Sequence, residues 1–288
     1  MAADAVFRRI PRLRSGWQHD ERLARALRET AFIVAAALLY TLVRGFTGDR
    51  VDRAFRHAEQ VITFERSTGL DMETDLQGLI LEHGWAVDAA NAVYIYCYWP
   101  VFLLTLLWLI VRRPDAYPKY RNALLASGAL TLVVFAFFPL APPRFMSEHG
   151  FVDTITVAAP TYRQLNSPAF VNEYAAMPSL HFGWVLLFAI AWVTLTKHPV
   201  TRALGALLPV LMFFAIIMTG NHYVVDAVAG GVIVLAGLGI AELIERRKGR
   251  REVHGAVAAA RRRSDERGPL PPAEVRPVSS GSGRIRHR

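Results

Sequence analysis

The sequence predicts an all-α protein: a polytopic membrane protein built as a bundle of six transmembrane helices with short interfacial helices. Hydrophobic residues make up 53% of the 288 residues, and the mean hydropathy is +0.25, which is typical of a membrane protein with polar ends. The apolar residues gather in segments of membrane-spanning length. Lysine and arginine concentrate at the two ends and in alternate short loops, so the net charge of +9 indicates membrane topology, and no nucleic-acid partner is expected.

The chain begins with a basic arm followed by an apolar segment. Residues 1–28 contain seven arginines and are expected to form a cytoplasmic arm that lies on anionic lipid. The segment from about Glu29 to Phe46 is long enough to be the first span. Because it exceeds the length of a signal-peptide core, no cleavable signal peptide is predicted.

Residues 47–88 have a mixed composition. Apolar residues recur at helical spacing, as at Ala54, Ala58, Val61 and Ile62. This pattern predicts two short amphipathic helices on the outer surface, broken near Ser67-Thr68-Gly69. The pair would roof a lipid-binding groove or form a solvated loop, and the sequence leaves both open.

The second span is predicted from about residue 86 to 111. Asn91, Tyr94 and Tyr98 stand at i, i+3 and i+7, which places a polar stripe on one face, and Pro100 follows as a kink. These three residues are candidates for lining an acceptor or lipid pocket. The two tyrosines also fit an interfacial aromatic belt.

Four further spans complete the predicted bundle, at about residues 122–140, 179–195, 203–218 and 224–243. Together with the first two they form the predicted domain, residues 29–246. Residues 247–288 are rich in Arg, Pro, Gly, Ser and Glu and are predicted to be a disordered basic cytoplasmic tail. The single cysteine, Cys97, excludes an internal disulfide.

The basic segments give the predicted bundle an orientation. With six spans, one side carries the arm and the segments 112–121, 197–202 and 246–251, all rich in Lys and Arg. The positive-inside rule makes that side cytoplasmic, so both termini are expected there. The outward loops and helix ends then carry polar residues that are far apart in the chain, namely Arg144, Ser179, His181, Asn221, His222 and Asp226.

The chemistry of these outward residues is complementary. His222 and Asp226 stand at i and i+4, so the carboxylate can accept the imidazole N–H and make the other ring nitrogen a nucleophile. A plain pairing of two polar groups at a helix start is the alternative. A second imidazole at 181, a guanidinium at 144 and a helix N-terminus at Ser179 suit transfer of a phosphoryl group. No metal or other cofactor is expected.

These residues also form motifs. Met177-Pro178-Ser179-Leu180-His181 resembles Pro-Ser-x-His, and His222-Tyr223-Val224-Val225-Asp226 resembles His-x-x-x-Asp, of the phosphatidic acid phosphatase type 2 superfamily. Ala141-Pro142-Pro143-Arg144 is similar to the first motif of its inositol phosphorylceramide synthase branch, and His-Tyr-x-x-Asp is similar to that of the sphingomyelin synthases. The resemblance implies a six-span bundle in which His222 is the nucleophile. Asp226 would orient it, His181 would act as acid and base, and Arg144 and Ser179 would bind phosphate.

The chain departs from the broader superfamily at positions that usually carry cations. Phe137 stands at the lysine of the first motif, Phe145 at its proline, and Ile216 at the arginine before the third-motif histidine. Arg163, or another basic residue of the outer loops, is expected to complete the phosphate site. These departures favour the inositol phosphorylceramide synthase-like branch, whose members are inositolphosphotransferases.

The leading hypothesis is a membrane lipid phosphatase or phosphotransferase that acts on a lipid phosphate or phospholipid at the extracytoplasmic face of the cell membrane. Water as acceptor gives hydrolysis, and an alcohol such as inositol gives headgroup transfer. A transporter or scramblase that uses the His/Asp cluster as an ion or proton relay is the alternative. A zinc site made by both histidines and the aspartate is less favoured, because the motif arginine would repel the cation.

Overall fold

The computed structural model describes residues 50–155 and 173–266, together with Arg28, Ala31, Ala35, Leu38 and Leu39 ahead of them. Within these residues the secondary structure is helical, and an isolated β-bridge joins Leu140 to Ala175. The all-α prediction is confirmed for this part of the chain. Most of the predicted basic arm and first span, together with Arg163, lies outside it.

The helices succeed one another as α1 (Val51–Thr68), α2 (Glu73–Leu81), α3 (Gly84–Ala92), α4 (Tyr98–Arg112), α5 (Tyr117–Phe137), α6 (Leu180–Leu195), α7 (Pro199–Met218) and α8 (Val224–Glu266). A π-helix, Val93–Cys97, joins α3 to α4. Two 3₁₀ turns, Pro143–Phe145 and Ser147–His149, follow α5.

Four helical segments are long and apolar enough to cross a membrane: Gly84–Arg112, Tyr117–Phe137, Pro199–Met218 and Val224–Gly255. They correspond to the second, third, fifth and sixth predicted spans. Large apolar side chains on their surfaces are exposed, for example Leu103, Val210 and Val232. An apolar surface of this extent is unfavourable in water but is well solvated by lipid tails. The four helices therefore indicate a membrane protein.

The helix that corresponds to the predicted fourth span is shorter than the four spanning helices. It is α6, which is apolar but has 16 residues. The described residues thus contain four helices of spanning length beside this shorter one, where the sequence predicted six spans over the whole chain.

The C-terminal part of α8 differs from the prediction. The chain divides into two compact units between Leu243 and Ile244, and α8 runs to Glu266. Residues 247–266 are therefore helical, although the sequence predicted disorder from residue 247. This segment is rich in Arg and Ala and contains no proline, so intrinsic helix propensity favours a helix even without an apolar face.

The two predicted amphipathic helices are α1 and α2. Helix α1 ends at Thr68 and is capped by Gly69, whose φ of 71° is left-handed. This end lies within the predicted break. Its buried face packs in one cluster with residues of the loops around the site, namely Leu140, Ala141, Met146, Phe151, Ala176 and Tyr223. Helix α1 therefore covers the chain segments that lead into and out of the site and is not a solvated loop.

Helices α6 and α8 approach so closely that their backbones touch. A Cβ atom on Gly230 would lie 2.2 Å from the carbonyl oxygen of Ser179, and one on Gly183 would lie 2.8 Å from the carbonyl oxygen of Gly230. The Ser179 N–H donates to the Asp226 carbonyl oxygen at 2.9 Å. Small residues at this crossing thus bring the N-terminus of α6 against the first turn of α8.

The close crossing gives the first prediction. Gly230→Ala should lower the thermal unfolding temperature in detergent, because the added methyl forces the helices apart at a cost of about 1–3 kcal/mol or more. Gly239→Ala is the matched control on the same helix, where a Cβ meets nothing within 4 Å. Equal unfolding temperatures for the two variants would contradict the described crossing.

Candidate active site

His222 is fixed through one ring nitrogen. Its Nδ1 lies 2.8 Å from the Ala176 carbonyl oxygen and 3.3 Å from Asp226 Oδ2. The predicted pairing of His222 with Asp226 is thus present in the structure. Asp226 is in turn held by the Tyr223 N–H, which donates to the same Oδ2 at 3.0 Å.

These contacts define the tautomer of the ring. A carbonyl oxygen can only accept, so the Nδ1 of His222 must carry the proton. The neutral ring then has an unprotonated Nε2 with an available lone pair. Asp226 is fully buried and His222 is 6% exposed, so bulk water does not compete for these contacts. The arrangement makes Nε2 a nucleophile or a base.

Ser179 begins the second part of the site. It is the N-cap of α6, and its side chain accepts from the Phe182 N–H at 3.4 Å. The helix N-terminus carries the positive end of the helix dipole. Since Ser179 also bonds to the Asp226 backbone, this positive end lies beside His222 and suits an anion.

His181 lies in the first turn of α6, beside two aromatic rings. Its ring centroid is 4.5 Å from the centroids of Tyr94 and Tyr98 and 6.1 Å from that of His222. Tyr94 belongs to the π-helix and Tyr98 begins α4. A π-turn adds a residue to the helical repeat and is frequent at functional sites. Here it accompanies two tyrosines that both contact one histidine.

Arg144 is attached to the same segment as His222. Its backbone N–H donates to the Gly220 carbonyl oxygen at 2.8 Å, and its Nη1 donates to Asn221 Oδ1. Its guanidinium lies 4.7 Å from the centroid of the Phe145 ring. Within the described part of the chain the guanidinium has no other hydrogen-bond partner, so most of its five N–H donors are available to an anion.

A buried network of hydrogen bonds holds Asn221, the residue that binds the Arg144 guanidinium. Asn221 Nδ2 donates to Thr219 Oγ1 at 2.7 Å, and Thr154 Oγ1 donates to the Thr219 carbonyl oxygen at 3.2 Å. Asn91 Nδ2 donates to the Thr154 carbonyl oxygen at 3.3 Å. The network fixes the Asn221 amide so that its oxygen is presented to Arg144.

The predicted site residues thus fall into separate groups. His181, His222, Asp226, Ser179 and Arg144 come together, while Arg163 lies outside the described residues. Of the three pocket candidates, Tyr94 and Tyr98 contact His181, whereas Asn91 belongs to the network behind Arg144. Asn221, which the sequence placed on the outward face without a role, orients Arg144.

A possible cation site lies apart from these residues. Among the described residues, donor atoms close enough to share an ion occur in Glu59, Glu148 and His149. His149 Nε2 is 2.9 Å from Glu59 Oε1, and both glutamates are exposed. An exposed acidic group of this kind is common without a metal, and it does not include either histidine of the site.

The tautomer of His222 gives the second prediction. In protein with ¹⁵N-labelled imidazole rings at pH 8, the His222 Nε2 signal should fall in the range of an unprotonated ring nitrogen, and Nδ1 in the protonated range. The signal is assigned by its loss in His222→Gln. Exposed His83 serves as an internal comparison, with its two tautomers averaged by water. A protonated Nε2 at His222 would contradict the geometry.

Comparison with known proteins gives one result. No curated protein and no solved structure matched significantly, but a family model described as "PAP2 superfamily" matches residues 59–240. That range contains the five clustered residues, Arg144, Ser179, His181, His222 and Asp226. Members of the superfamily are phosphatases and phosphotransferases. Because the match covers more than half of the chain, the protein belongs to the PAP2 superfamily, and its apolar helices make it a phosphatase-type membrane protein.

Proposed function

We propose that this protein is an integral membrane lipid phosphatase or phosphotransferase that works through a phosphohistidine on His222. The observation that carries the proposal is the pair of acceptors on His222 Nδ1, which leaves Nε2 with a lone pair. His181 and the cationic Arg144 are positioned around the same segment. A nucleophile, a second imidazole and a guanidinium are the groups that phosphoryl transfer uses.

The first step forms the phosphoenzyme. The Nε2 lone pair of His222 attacks phosphorus, the N–P bond forms, and the P–O bond to the lipid breaks. The electron pair of that bond leaves on the lipid oxygen, which takes a proton from His181. Asp226 stabilises the positive charge that His222 acquires.

The second step returns the enzyme to its starting state. Neutral His181 takes a proton from the acceptor, whose oxygen attacks phosphorus. The P–N bond breaks and its electron pair returns to Nε2 of His222. Arg144 and the N-terminus of α6 at Ser179 would neutralise the oxygens of the phosphoryl group in both steps. Arg163 remains our candidate for a further cation.

We place this chemistry at the extracytoplasmic end of a six-span bundle in the cell membrane. Support comes from the basic segments at 112–121, 197–202 and 246–251, which the positive-inside rule puts in the cytoplasm with both termini. The site residues lie at the opposite ends of the helices that these segments join. Tagging of the loops for extracellular labelling tests this orientation.

The acceptor divides the proposal into two forms. Water gives a lipid phosphatase, and an alcohol gives a transferase of an inositol-phosphate-type headgroup. Two features favour transfer. Phe137 and Ile216 stand where phosphatases of the broader superfamily carry cations. The Tyr94 and Tyr98 rings against His181 would also limit the access of water to the group that activates the acceptor.

The third prediction tests the nucleophile. Purified protein with dioctanoyl phosphatidic acid in detergent should release phosphate, and His222→Gln should reduce release to background. His181→Gln should lower the rate by about 10²–10⁴-fold, which is typical for loss of a general acid–base group. With ³²P-labelled substrate, the wild type should form an acid-labile, base-stable phosphoprotein that His222→Gln lacks.

The control for this assay is His83→Gln, which removes an exposed histidine of the same chain and should leave the rate unchanged. Wild-type turnover in His222→Gln would refute the nucleophile assignment. Addition of myo-inositol separates the two acceptors, because a transferase would consume lipid without an equal release of phosphate. Proton or solute flux in liposomes without phosphate chemistry would favour a transporter instead.

A further inference from the structure

A buried pair of carboxyl groups lies outside the family motifs. Glu65 lies on α1 and Glu73 in the first turn of α2. The two residues are 1% and 2% exposed. Buried carboxyl groups are costly unless they are hydrogen-bonded or protonated. Neither α1 nor α2 carries a residue of the family motifs, so these two buried carboxyl groups need a separate explanation.

Both carboxyl groups bind the start of the helix that carries Asp226. The Val224 N–H donates to Glu73 Oε1, and the Val225 N–H donates to Glu65 Oε1, each at 2.8 Å. The preceding N–H, that of Tyr223, donates to Asp226 Oδ2. Three consecutive backbone N–H groups at the start of α8 are therefore bonded to three different carboxyl groups.

The sequence explains why this helix needs a cap from elsewhere. The first N–H groups of a helix have no partner within the helix, and Ser, Thr, Asp or Asn before the first turn normally supplies one. Here His222 and Tyr223 occupy those positions, and neither is a capping residue. Glu65 and Glu73 supply the missing acceptors from a distance of about 150 residues along the chain.

The two carboxyl groups are also neighbours, since they line one cleft and accept from consecutive backbone N–H groups. Neighbouring carboxyl groups can hydrogen-bond to each other only if one of them is protonated. Burial, together with the adjacent Glu73 and the more distant Asp226, raises the pKa of Glu65 from 4.5 to about 9. Near neutral pH the Glu65 carboxyl therefore keeps its proton.

The other groups around the pair are few. Tyr223 follows His222, and burial raises the pKa of its phenol, with Asp226, Glu65, Glu73 and Glu59 adding to the shift, so that it stays neutral. A cleft lined in part by Arg66 and Asp71 opens onto the two glutamates. Among the described residues, the cation Arg66 and the acid Asp71 thus line this cleft beside the two glutamates.

We infer that Glu65 and Glu73 are positioning residues of the active site, which hold the first turn of α8 so that Asp226 stays against His222 Nδ1. The inference rests on the proposed function, because it assigns the pair to the reaction that His222 carries out. The pair touches no reacting atom. It acts through Val224 and Val225, which lie between the nucleophile and its carboxylate.

The direction of the pH effect follows from the shared proton. The carboxyl of Glu65 has a higher pKa in the folded protein than in the unfolded chain, so its contribution to stability is complete below pH 4.5 and is lost as pH rises to about 9. Loss of the proton places a negative charge on the buried Glu65, beside the Glu73 carboxyl. We therefore expect the start of α8 to loosen, and activity to fall, on the alkaline side.

The fourth prediction compares two substitutions of Glu65 in the full-length protein, with dioctanoyl phosphatidic acid in detergent. In Glu65→Gln the amide oxygen accepts from Val225 and the amide NH₂ donates to Glu73, which imitates the protonated pair permanently. Its kcat should stay within about twofold of wild type at pH 6.5, and its alkaline limb should move upward by about one pH unit or more. Glu65→Leu removes the acceptor, and kcat should fall about tenfold or more with little change in KM.

Asp75→Asn is the matched control, since it exchanges an exposed carboxyl of α2 for an amide. It should leave both the rate and the pH profile unchanged. An alkaline limb in Glu65→Gln that coincides with wild type would overturn the inference, and so would an unchanged kcat in Glu65→Leu. If Glu65→Leu does not fold, the pH profile of Glu65→Gln decides alone.

This test is separable from that of the proposed function. If wild type releases phosphate and His222→Gln does not, a negative result with Glu65 overturns only the positioning role. If wild type releases no phosphate, the proposed function fails, and with it the catalytic role of the pair. The unfolding temperature of wild type, compared with that of Glu65→Gln between pH 5 and pH 9, would then show whether the shared proton exists.

Discussion

The site depends on the two hydrogen bonds of His222 Nδ1. Because the Ala176 carbonyl and the Asp226 carboxylate both accept, one ring nitrogen is committed to the protein and the other is left for chemistry. The Ala176 contact comes from the loop before α6, and the Asp226 contact comes from the first turn of α8. The orientation of a single ring therefore requires two segments to meet, and most of the surrounding structure brings this about.

Three features hold those segments together. The glycines of the α6–α8 crossing allow the backbones to touch, so that Ser179 bonds directly to the backbone of Asp226. The bridge between Leu140 and Ala175 ties the loop that carries Arg144 to the strand-like segment containing Ala176. Finally, the amphipathic helices α1 and α2 reach over this region and cap α8. None of the three is itself catalytic in the proposed reaction, but each fixes a distance that the reaction needs.

Much of the site could be predicted from the sequence, because its groups stand in short local patterns. The i, i+4 spacing of His222 and Asp226 determines their contact, and Ser179 before an apolar helix determines a cap. Longer-range contacts could not be derived in this way. The contact of Tyr94 and Tyr98 with His181 joins residues that are far apart in the chain, and no local spacing determines which helices meet.

The position of Glu65 in the sequence already indicates that it is buried. It follows Ile62 by three residues and so continues the apolar stripe of α1, where a charged residue is unexpected. The other acids of α1, Asp52 and Glu59, are exposed, so burial distinguishes Glu65 from them. The helix over residues 247–266 has no apolar stripe, so hydrophobic patterning does not indicate it, whereas the helix propensity of its Arg and Ala residues does.

The most direct test of the account is a structure of the protein with vanadate, a trigonal-bipyramidal analogue of the phosphoryl group in transfer. We expect vanadium bonded to His222 Nε2, with Arg144 on the equatorial oxygens and His181 within hydrogen-bonding distance of the apical oxygen. Vanadate bound away from Nε2, or bound there without contact to Arg144, would contradict the convergence on which the account rests.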